Sequence, residues 1–556
     1  MTVTAGAFLT AIKAASAERT DRPAFTFLDA NLEATTYTFG ELWGRASAIA
    51  VRIRERGLAD PTRPLGLLLG SQEDQILHYL GALQAGAVPA ILTPPNRKLN
   101  RQYYAITMVA VLRRSGFGAI VTDVDDVPLP VPAFQPHSID PVPGEEPGVA
   151  NTAAGEPLEA SFLQFSSGTT GIKRGVLVRD EAALAQLHAY AAALALSPDD
   201  RIVTWLPLYH DMGFIACLNM PLLFGVHTIV IDPITWVTRP GTLLRAASRY
   251  AATLSWNPNF AYAFMAHRVR ERELDGVDLS SLRGLANCSE PVTHTSQQQF
   301  MERFARYGLR DDVFLGCYAM AETTFALTHG VASDPGYLDP VGPQNAARSE
   351  GADPYVSVGQ PIDGVQLEVV DEHGTRCSDR SIGELWVKSP FNFTGYYREP
   401  DATAEAFVDG WYRTGDLGYR VGSSVFVTGR QKDVLIIGGV NVFPNDVEDV
   451  VNRVEGVIPG RTAVFAQFDS RMQTERITIL AESDSSAHEA REVVMAIRQW
   501  VQASFELASF EVHLVPVGWL VKSSSGKVAR SANRDKWNRE RAAAASADPQ
   551  DRRTDQ

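Results

Sequence analysis

The sequence of 556 residues has few cysteines, no net positive charge and no long uninterrupted hydrophobic run. The formal charge of −14 gives no basic field for a nucleic acid, although a local cradle can still hold a nucleotide. The longest apolar stretch, residues 214–231, is interrupted by a proline, a glycine and a histidine. It therefore predicts a buried helix followed by a buried strand rather than a membrane span.

The cysteines are scattered along the chain, with no Cys-x-x-Cys pair, and they indicate reduced thiols rather than a zinc site or a disulfide framework. They are Cys217, Cys288, Cys317 and Cys377. The N-terminal residues show no signal-peptide pattern, because their short apolar run has no basic leader. A cytoplasmic protein, monomeric or homodimeric, is the expectation.

A chain of this length is expected to form more than one domain. Apolar runs at residues 65–69 and 88–92 enclose a helical pattern at 74–85, and such alternation predicts parallel sheets covered by helices. From residue 358, short alternating strands predict a small β-rich subdomain, which a further α/β pattern follows. The Ala-, Arg- and Asp-rich end, residues 539–556, is predicted to be disordered.

The strongest functional signal is a loop rich in hydroxyls and glycines that ends in two cations. Its candidate phosphate contacts are Ser166, Ser167, Gly168, Thr169, Thr170, Gly171, Lys173 and Arg174. Successive backbone N–H groups in glycine-rich turns form anion-binding concavities, and the hydroxyls add donors. The spacing differs from that of the P-loop nucleotide hydrolases. Taken alone, the loop fits a flexible polar connection as well as a phosphate site.

Five further motifs follow this loop in order. They are LPLYHDMG (206–213), YAMAETT (318–324), YRTGDLG (412–418), GRQKD (429–433) and SGK (525–527). Together the motifs closely resemble the adenylate-forming superfamily of acyl-CoA synthetases, fatty acyl-AMP ligases, luciferases and peptide-synthetase adenylation domains, from about residue 10 to 538. The resemblance implies a large N-terminal domain (1–429), a hinge (430–432) that includes Lys432, and a small mobile α+β domain (433–538).

The resemblance also implies the reaction. In this family a carboxylate attacks the α-phosphate of ATP to give acyl-AMP and pyrophosphate, and fixed cations and dipoles stabilise the transition state. Glu322 resembles the carboxylate that binds Mg²⁺. Lys527 resembles the catalytic lysine that bridges the acid and the α-phosphate. His210 falls where the family places a side chain beside the carboxylate, and it can gate the entry of acid or thiol.

Further ATP contacts are implied around the nucleotide. Asp416 resembles the ribose ligand, since a carboxylate can accept from both ribose hydroxyls, and Arg430 resembles a ribose or phosphate contact. The other implied contacts are Ser289, Glu290, Pro291, Tyr318, Ala319, Met320 and Thr323. Two positions depart from the family pattern. Arg174 replaces the usual lysine and changes the shape of the cation, and Ala319 replaces a glycine, so that its Cβ is expected to intrude beside the acyl channel.

The acid is expected to be large and hydrophobic. The predicted acyl pocket consists of Trp256, Asn259, Phe260 and Met320. Residues 205–213 and 258–262 look most like fatty acyl-AMP ligases, which often load a carrier protein. Gly438 and Gly439, in contrast, belong to a Gly-Gly-x-Asn motif of CoA ligases, in which glycines leave room for pantetheine.

The acceptor favoured on these grounds is coenzyme A. The alternative is the phosphopantetheine of an acyl-carrier protein, and a third possibility is a catalytically inactive nucleotide-binding regulator. Neither a nucleic-acid partner nor a membrane span is expected.

Overall fold

A computed structural model describes most of the chain. The described residues are 6–95, 101–124, 129–136, 157–166, 173–344, 353–433, 435–437, 440–442, 444–469, 474–486, 489–504, 510–523 and 526–547. Seven of the predicted site residues lie outside these ranges, and so does the side chain of Lys432. The seven are Ser167, Gly168, Thr169, Thr170, Gly171, Gly438 and Gly439.

The N-terminal part alternates helices and strands, as predicted. Its elements are α1 (Ala7–Ala17), β1 (Pro23–Leu28), β2 (Ala34–Thr38), α2 (Phe39–Glu55), β3 (Pro64–Leu68), α3 (Gln72–Ala85), β4 (Val88–Ile91), α4 (Arg101–Ser115), β5 (Ala119–Thr122) and β6 (Ala133–Phe134). Helix α2 begins with a reciprocal capping box between Thr38 and Glu41. Helix α3 ends at Gly86, which is left-handed (φ 87°), a conformation that glycine adopts without steric cost.

The middle of the chain forms most of the largest sheet. Its elements are β7 (Phe162–Phe165), β8 (Gly175–Val178), α5 (Asp180–Ala193), β9 (Arg201–Thr204), α6 (Met220–Phe224), β10 (His227–Ile231), α7 (Pro233–Thr238), α8 (Gly241–Arg249), β11 (Leu254–Pro258), α9 (Asn259–Arg268), β12 (Gly284–Cys288), α10 (His294–Phe304), β13 (Phe314–Gly316), β14 (Thr328–Val331), β15 (Leu338–Asp339), β16 (Tyr355–Val356) and β17 (Gln360–Pro361). A π-helix, Met212–Asn219, precedes α6. The predicted buried helix and strand within residues 214–231 are therefore confirmed.

The remaining elements are mostly short strands and then a smaller α+β unit. They are β18 (Gln366–Val370), β19 (Gly383–Lys388), α11 (Pro400–Ala406), β20 (Phe407–Val408), β21 (Trp411–Val421), β22 (Ser424–Arg430), β23 (Leu435–Ile437), β24 (Val440–Val442), α12 (Pro444–Asn452), β25 (Thr462–Asp469), β26 (Thr474–Glu482), α13 (Glu489–Ser504), β27 (Phe510–Val515) and α14 (Arg530–Ala547). Helix α14 continues into the segment predicted to be disordered, because alanine, arginine and glutamate favour helix.

Two sheets form the core of the large unit. The nine-stranded sheet has the order β17-β14-β13-β12-β11-β9-β10-β1-β2. Its six strands from β13 to β1 are parallel to one another, and the flanking β14 and β2 pair antiparallel. A four-stranded parallel sheet has the order β4-β3-β5-β6. Strands β3, β4 and β5 are buried throughout, as expected of parallel strands with both faces covered. The predicted α/β fold with helix-covered parallel sheets is confirmed.

A five-stranded and a three-stranded sheet follow in the later part of the chain, in addition to the two-stranded pairs β7-β8, β15-β16 and β23-β24. Strands β18, β19, β20, β21 and β22 pair antiparallel, which confirms the predicted β-rich subdomain. Further along, β25, β26 and β27 form a three-stranded sheet with a hydrophobic cluster of its own, to which α12 and α13 contribute. Among the helices within the described ranges, none has the length and apolarity needed to cross a membrane.

Candidate active site

The parallel strands of the large sheet bring four predicted segments to one edge. Residue 210 lies after β9, residue 259 after β11, residue 289 after β12 and residue 318 after β13. Neighbouring parallel strands end at the same edge of a sheet, and in open α/β folds ligands bind outside the carboxyl ends of the strands. The chain order of the motifs thus becomes a spatial cluster.

The hydroxyl-rich loop connects the two strands of an antiparallel hairpin, β7 and β8. Its two ends are joined because the Ser166 N–H donates to the carbonyl of Arg174 at 3.0 Å. Lys173 then donates to the Thr93 hydroxyl at 3.3 Å, and its ammonium lies 5.8 Å from the centre of the Tyr209 ring. The hairpin therefore holds Ser166 and Lys173 at the two ends of the candidate phosphate loop.

Arg174 is held by neighbours within the protein. Its guanidinium lies 4.9 Å from the centre of the Tyr396 ring, and its Nε is 3.4 Å from a carboxylate oxygen of Glu399. The Tyr396 hydroxyl in turn donates to Glu322 Oε1 at 3.0 Å. Burial raises the pKa of the Glu322 carboxyl, while the Tyr396 hydrogen bond and the nearby Arg430 lower it. Arg174, Tyr396 and Glu322 thus form a continuous set of contacts.

Asp416 and Arg430 are opposite each other in the β21–β22 pair. Arg430 Nε lies 3.0 Å from Asp416 Oδ1, and the Tyr318 hydroxyl donates to Asp416 Oδ2 at 2.7 Å. The negative charge of Asp416 raises the pKa of Arg430 further, so the guanidinium stays charged. The buried carboxylate is therefore oriented by two donors, one at each of its oxygens.

Lys527 lies in a tight hairpin of the C-terminal unit and reaches the large sheet. The hairpin is closed by a hydrogen bond from the Ser523 N–H to the carbonyl of Lys527 at 2.7 Å. The Lys527 ammonium donates to the backbone carbonyl of Ser289. Ser289 has a positive φ of 72°, which costs a non-glycine residue about 1–3 kcal/mol. Such backbone strain is typical of functional sites.

Two lysines and two carboxylates are charge-coupled at this edge of the sheet. Burial lowers the pKa of Lys173 to about 8, while Asp211 raises it. Burial also lowers the pKa of Lys527, which Glu290 and Asp211 raise. Conversely, burial raises the pKa of the Asp211 and Glu290 carboxyls, and the Lys527 ammonium lowers the pKa of each. Each charge is thus costly by itself and depends on its neighbours.

His210 lies beside this charged group. Burial, together with Lys173 and Lys527, keeps its pKa well below the ordinary value, so the imidazole is neutral at neutral pH. Its Nε2 is buried and has no hydrogen-bond partner among the described residues. Such a neutral ring nitrogen, which no described residue engages and which lies near two cations, can bind a carboxylate or a thiol.

The residues of the predicted acyl pocket differ in their environment. The Phe260 ring lies 6.3 Å from the rings of Trp205 and Trp236, which stack on each other at 3.6 Å. Trp256 is fully buried, and its indole N–H donates to the Tyr190 hydroxyl at 2.9 Å. Met320 is buried one residue before the short helix that carries Glu322.

Asn259 has a connecting role at the start of α9. Its Oδ1 accepts from Asn287, from the Thr293 N–H and from Ser296, which ties α9 to the first turn of α10. The amide is thereby engaged within the protein.

The remaining predicted contacts lie on the turns around these groups. Ala319 forms an isolated backbone bridge with Ala326, the buried Thr323 hydroxyl donates to the carbonyls of Met320 and Phe325, and Pro291 is half-buried next to Glu290. Lys432 falls in the short helix Gln431–Asp433 that directly follows β22.

Two contributors were not among the predicted site residues. Asp211 stands inside the LPLYHDMG motif, but its coupling to Lys173 and Lys527 is visible only in three dimensions. In the sequence, Tyr396 lies outside all of the motifs. The aromatic pair in the segment TGYYREP (394–400) is only a weak signal of a site residue.

Comparisons with known proteins show the family of the chain. Residues 12–397 match the family described as AMP-binding enzyme. The chain belongs to the AMP-binding enzyme family. It is 28% identical to a putative fatty-acid–CoA ligase, fadD21 of Mycobacterium leprae, with 94% of this chain and 96% of that protein covered. It is also 28% identical to the medium-chain-fatty-acid–[acyl-carrier-protein] ligase JamA of Moorena producens, with 93% and 92% covered.

The AMP-binding fold extends beyond the matched residues. A structure from a study of fatty acyl-adenylate ligases of E. coli and L. pneumophila superposes with a TM-score of 0.83 and 24% identity, over 96% of this chain and 98% of that one. The C-terminal unit with Lys527 is therefore part of the shared fold.

Proposed function

We propose that the protein activates a hydrophobic carboxylic acid with ATP to acyl-AMP and then transfers the acyl group to the thiol of coenzyme A. The observation that carries this proposal is the position of Lys527. The ammonium reaches from the C-terminal hairpin to the Ser289 carbonyl, beside His210 and Asp211. A cation brought to this edge can bridge the acid and the α-phosphate.

In the first half-reaction a carboxylate oxygen of the acid attacks the α-phosphorus, and pyrophosphate leaves. Negative charge gathers on the phosphate oxygens, and fixed cations stabilise it. We assign the acid carboxylate and the α-phosphate to Lys527, and the pyrophosphate side to Lys173 and the loop that precedes it. Asp416 accepts from the ribose hydroxyls, and Arg430 stays charged beside it.

Glu322 fits a magnesium site. Its carboxylate provides hard oxygen donors, and Mg²⁺ is commonly bound by one or two carboxylates together with the phosphates of the substrate. When bound, the ion neutralises charge on the departing phosphate. The Tyr396 hydroxyl, bonded to Oε1, would orient the carboxylate for this task.

The acid is proposed to be hydrophobic, with a long or bulky chain. The half-buried Phe260 offers an apolar aromatic ring next to the Lys527 hairpin, and the buried, stacked Trp205 and Trp236 support that ring from behind. Asp211 and Glu290 lie near the same place, but lysines balance their charges, which disfavours an amino acid with a free ammonium group.

Coenzyme A is the proposed acceptor, on the basis of the Gly-Gly-x-Asn motif that contains Gly438 and Gly439. We propose that after adenylation the C-terminal domain (433–538) rotates about a hinge at residues 430–432, so that Lys527 leaves and this motif approaches the acyl-AMP. An acyl-carrier protein is the second candidate, because JamA, which is as similar in sequence to this chain as fadD21 is, is named for that acceptor.

The four cysteines are free, in keeping with a reducing cytoplasm.

The test is pyrophosphate release with a panel of saturated, branched and aromatic acids, followed by acceptor assays with the best acid. We expect release that depends on both acid and ATP, and then acyl-CoA formation. Strict dependence on a carrier protein would replace coenzyme A with the second candidate. A lack of release with every acid would favour an inactive nucleotide-binding protein.

A further inference from the structure

Glu290 lies at the turn that receives Lys527. It directly follows Ser289, the residue whose carbonyl accepts from the Lys527 ammonium. One oxygen of its carboxylate, Oε1, accepts from the backbone N–H of Phe260 at 2.5 Å. The carboxylate thus connects the end of β12 to the start of α9, and the turn itself is held in a strained conformation at Ser289.

Phe260 connects this turn to the C-terminal hairpin. The Lys522 ammonium lies 5.7 Å from the centre of the Phe260 ring. A methyl group placed on Gly526 would lie 3.4 Å from the edge of the same ring. The hairpin therefore packs on Phe260 through the residue next to Lys527, while Glu290 holds the backbone of Phe260 from the other side.

We infer that Glu290 is the positioning residue for Lys527. The Glu290 carboxylate provides the negative charge that seats the hairpin and keeps the lysine cationic during adenylation. The inference rests on the proposed function, and it assigns Glu290 to the acid side of the site rather than to the nucleotide contacts. Glu290 acts through Lys527 and not on the reacting atoms.

The charges around Lys527 agree with this geometry. Burial lowers the Lys527 pKa most, Arg430 lowers it further, and Glu290, Asp211 and Cys288 raise it. Asp211 also raises the pKa of Lys173, so its charge is shared between two lysines. Glu290 interacts with the two hairpin lysines, Lys527 and Lys522, and with the more distant Glu448. Removal of the Glu290 charge therefore lowers the Lys527 pKa, and the ammonium loses its proton at a lower pH.

Glu290→Gln tests the inference, because the amide oxygen can still accept from the Phe260 N–H while the charge is lost. We would measure acid-dependent pyrophosphate–ATP exchange against pH, and thioester formation from preformed acyl-AMP. We expect the alkaline limb of exchange to move down by about one pH unit, the low end of the effect of a nearby opposite charge, so that exchange falls by up to about tenfold at a pH above the wild-type limb. Thioester formation should stay within about twofold, because Lys527 is proposed to leave before that step.

Two further variants separate positioning from folding. Glu290→Asp keeps the charge and should return the alkaline limb to its wild-type pH, even if the rate stays lower. Glu372→Gln removes the charge of an exposed glutamate and should change neither profile. Equal losses in both half-reactions with an unmoved alkaline limb would overturn the inference. A wild-type protein without exchange for any acid would instead overturn the proposed function.

Discussion

The two sides of the candidate site are built differently. On the nucleotide side, Tyr396 holds Glu322, and both Tyr318 and Arg430 hold Asp416, through direct contacts of 2.7–3.0 Å within residues 318–430. On the acid side, Lys527 comes from the distant C-terminal hairpin and lies near His210, whose Nε2 has no partner among the described residues. Lys173, which is assigned to the pyrophosphate, approaches the same charges from the β7–β8 hairpin. One side is preorganised by hydrogen bonds, and the other brings buried charges together.

The pKa directions reflect the same difference. Asp416 raises the pKa of Arg430 and keeps it charged, whereas burial lowers the pKa of Lys173, of Lys527 and of His210. Buried cations of lowered pKa gain most when an anionic substrate arrives beside them. The nucleotide side is therefore suited to binding, and the acid side to stabilising charge that develops during the reaction.

The largest effect is expected from Lys527→Ala, which removes the hairpin cation that donates to the Ser289 carbonyl on the acid side. Pyrophosphate–ATP exchange should fall by about 10²–10³-fold, the usual cost of losing one preorganised charge-stabilising group. Thioester formation from added acyl-AMP should persist, and ATP affinity should change little. Rapid-quench measurement of the two half-reactions checks this. Lys13→Ala, at an exposed position, is the control, and equal loss in both half-reactions would remove the proposed division of labour.

A second variant breaks the nucleotide side. Asp416→Asn removes the charge that Arg430 and Tyr318 hold, and with it the proposed ribose acceptor. Hydrogen bonds to charged groups contribute about 1.5–3 kcal/mol, which corresponds to a roughly 10–100-fold weaker ATP affinity. Calorimetric titration with ATP measures the effect, and the Tm tests whether the buried pair also stabilises the fold. An unchanged dissociation constant would place the ribose elsewhere.

The sequence predicted individual site residues better than the contacts between them. Motifs with rigid local context, such as Thr-Gly-Asp with Asp416 and Ser-Gly-Lys with Lys527, pointed to residues that the fold does bring to one edge. The coupling of Asp211 and Glu290 to the lysines could not be read from the sequence, because it depends on how strand ends and a distant hairpin meet. For Asn259 the sequence suggested too much. Its place beside Phe260 suggested a pocket-lining residue, but its amide is engaged in linking α9 to α10.

Lys173, the lysine assigned to the pyrophosphate, predicts a pH dependence of ATP binding. The Lys173 pKa is lowered to about 8 by burial, so the ammonium is mostly charged at pH 7 and mostly neutral at pH 9. If Lys173 contacts the phosphates, the dissociation constant of ATP should rise by about five- to tenfold between pH 7.5 and 9, since the charged fraction falls by that factor. Lys173→Met should bind ATP more weakly and with a flatter pH profile. An equally steep profile in that variant would assign the titration to another group.

The smallest effect is expected on the nucleotide side, at Tyr396. Tyr396→Phe removes the hydrogen bond to Glu322 Oε1 but keeps the ring that faces Arg174. Arg174→Lys keeps a cation but loses the planar stacking contact with that ring. The Tyr396 hydroxyl acts on the ion only through Glu322, and an exposed cation–π contact is worth about 0.5–1 kcal/mol. We therefore expect only a roughly two- to fivefold rise in the Mg²⁺ concentration required for half-maximal exchange. The loss in the double mutant should be smaller than the sum of the two single losses, because Arg174 acts on Glu322 through Tyr396. Additive losses would mean that Arg174 contacts the phosphates itself, as its place in the loop first suggested.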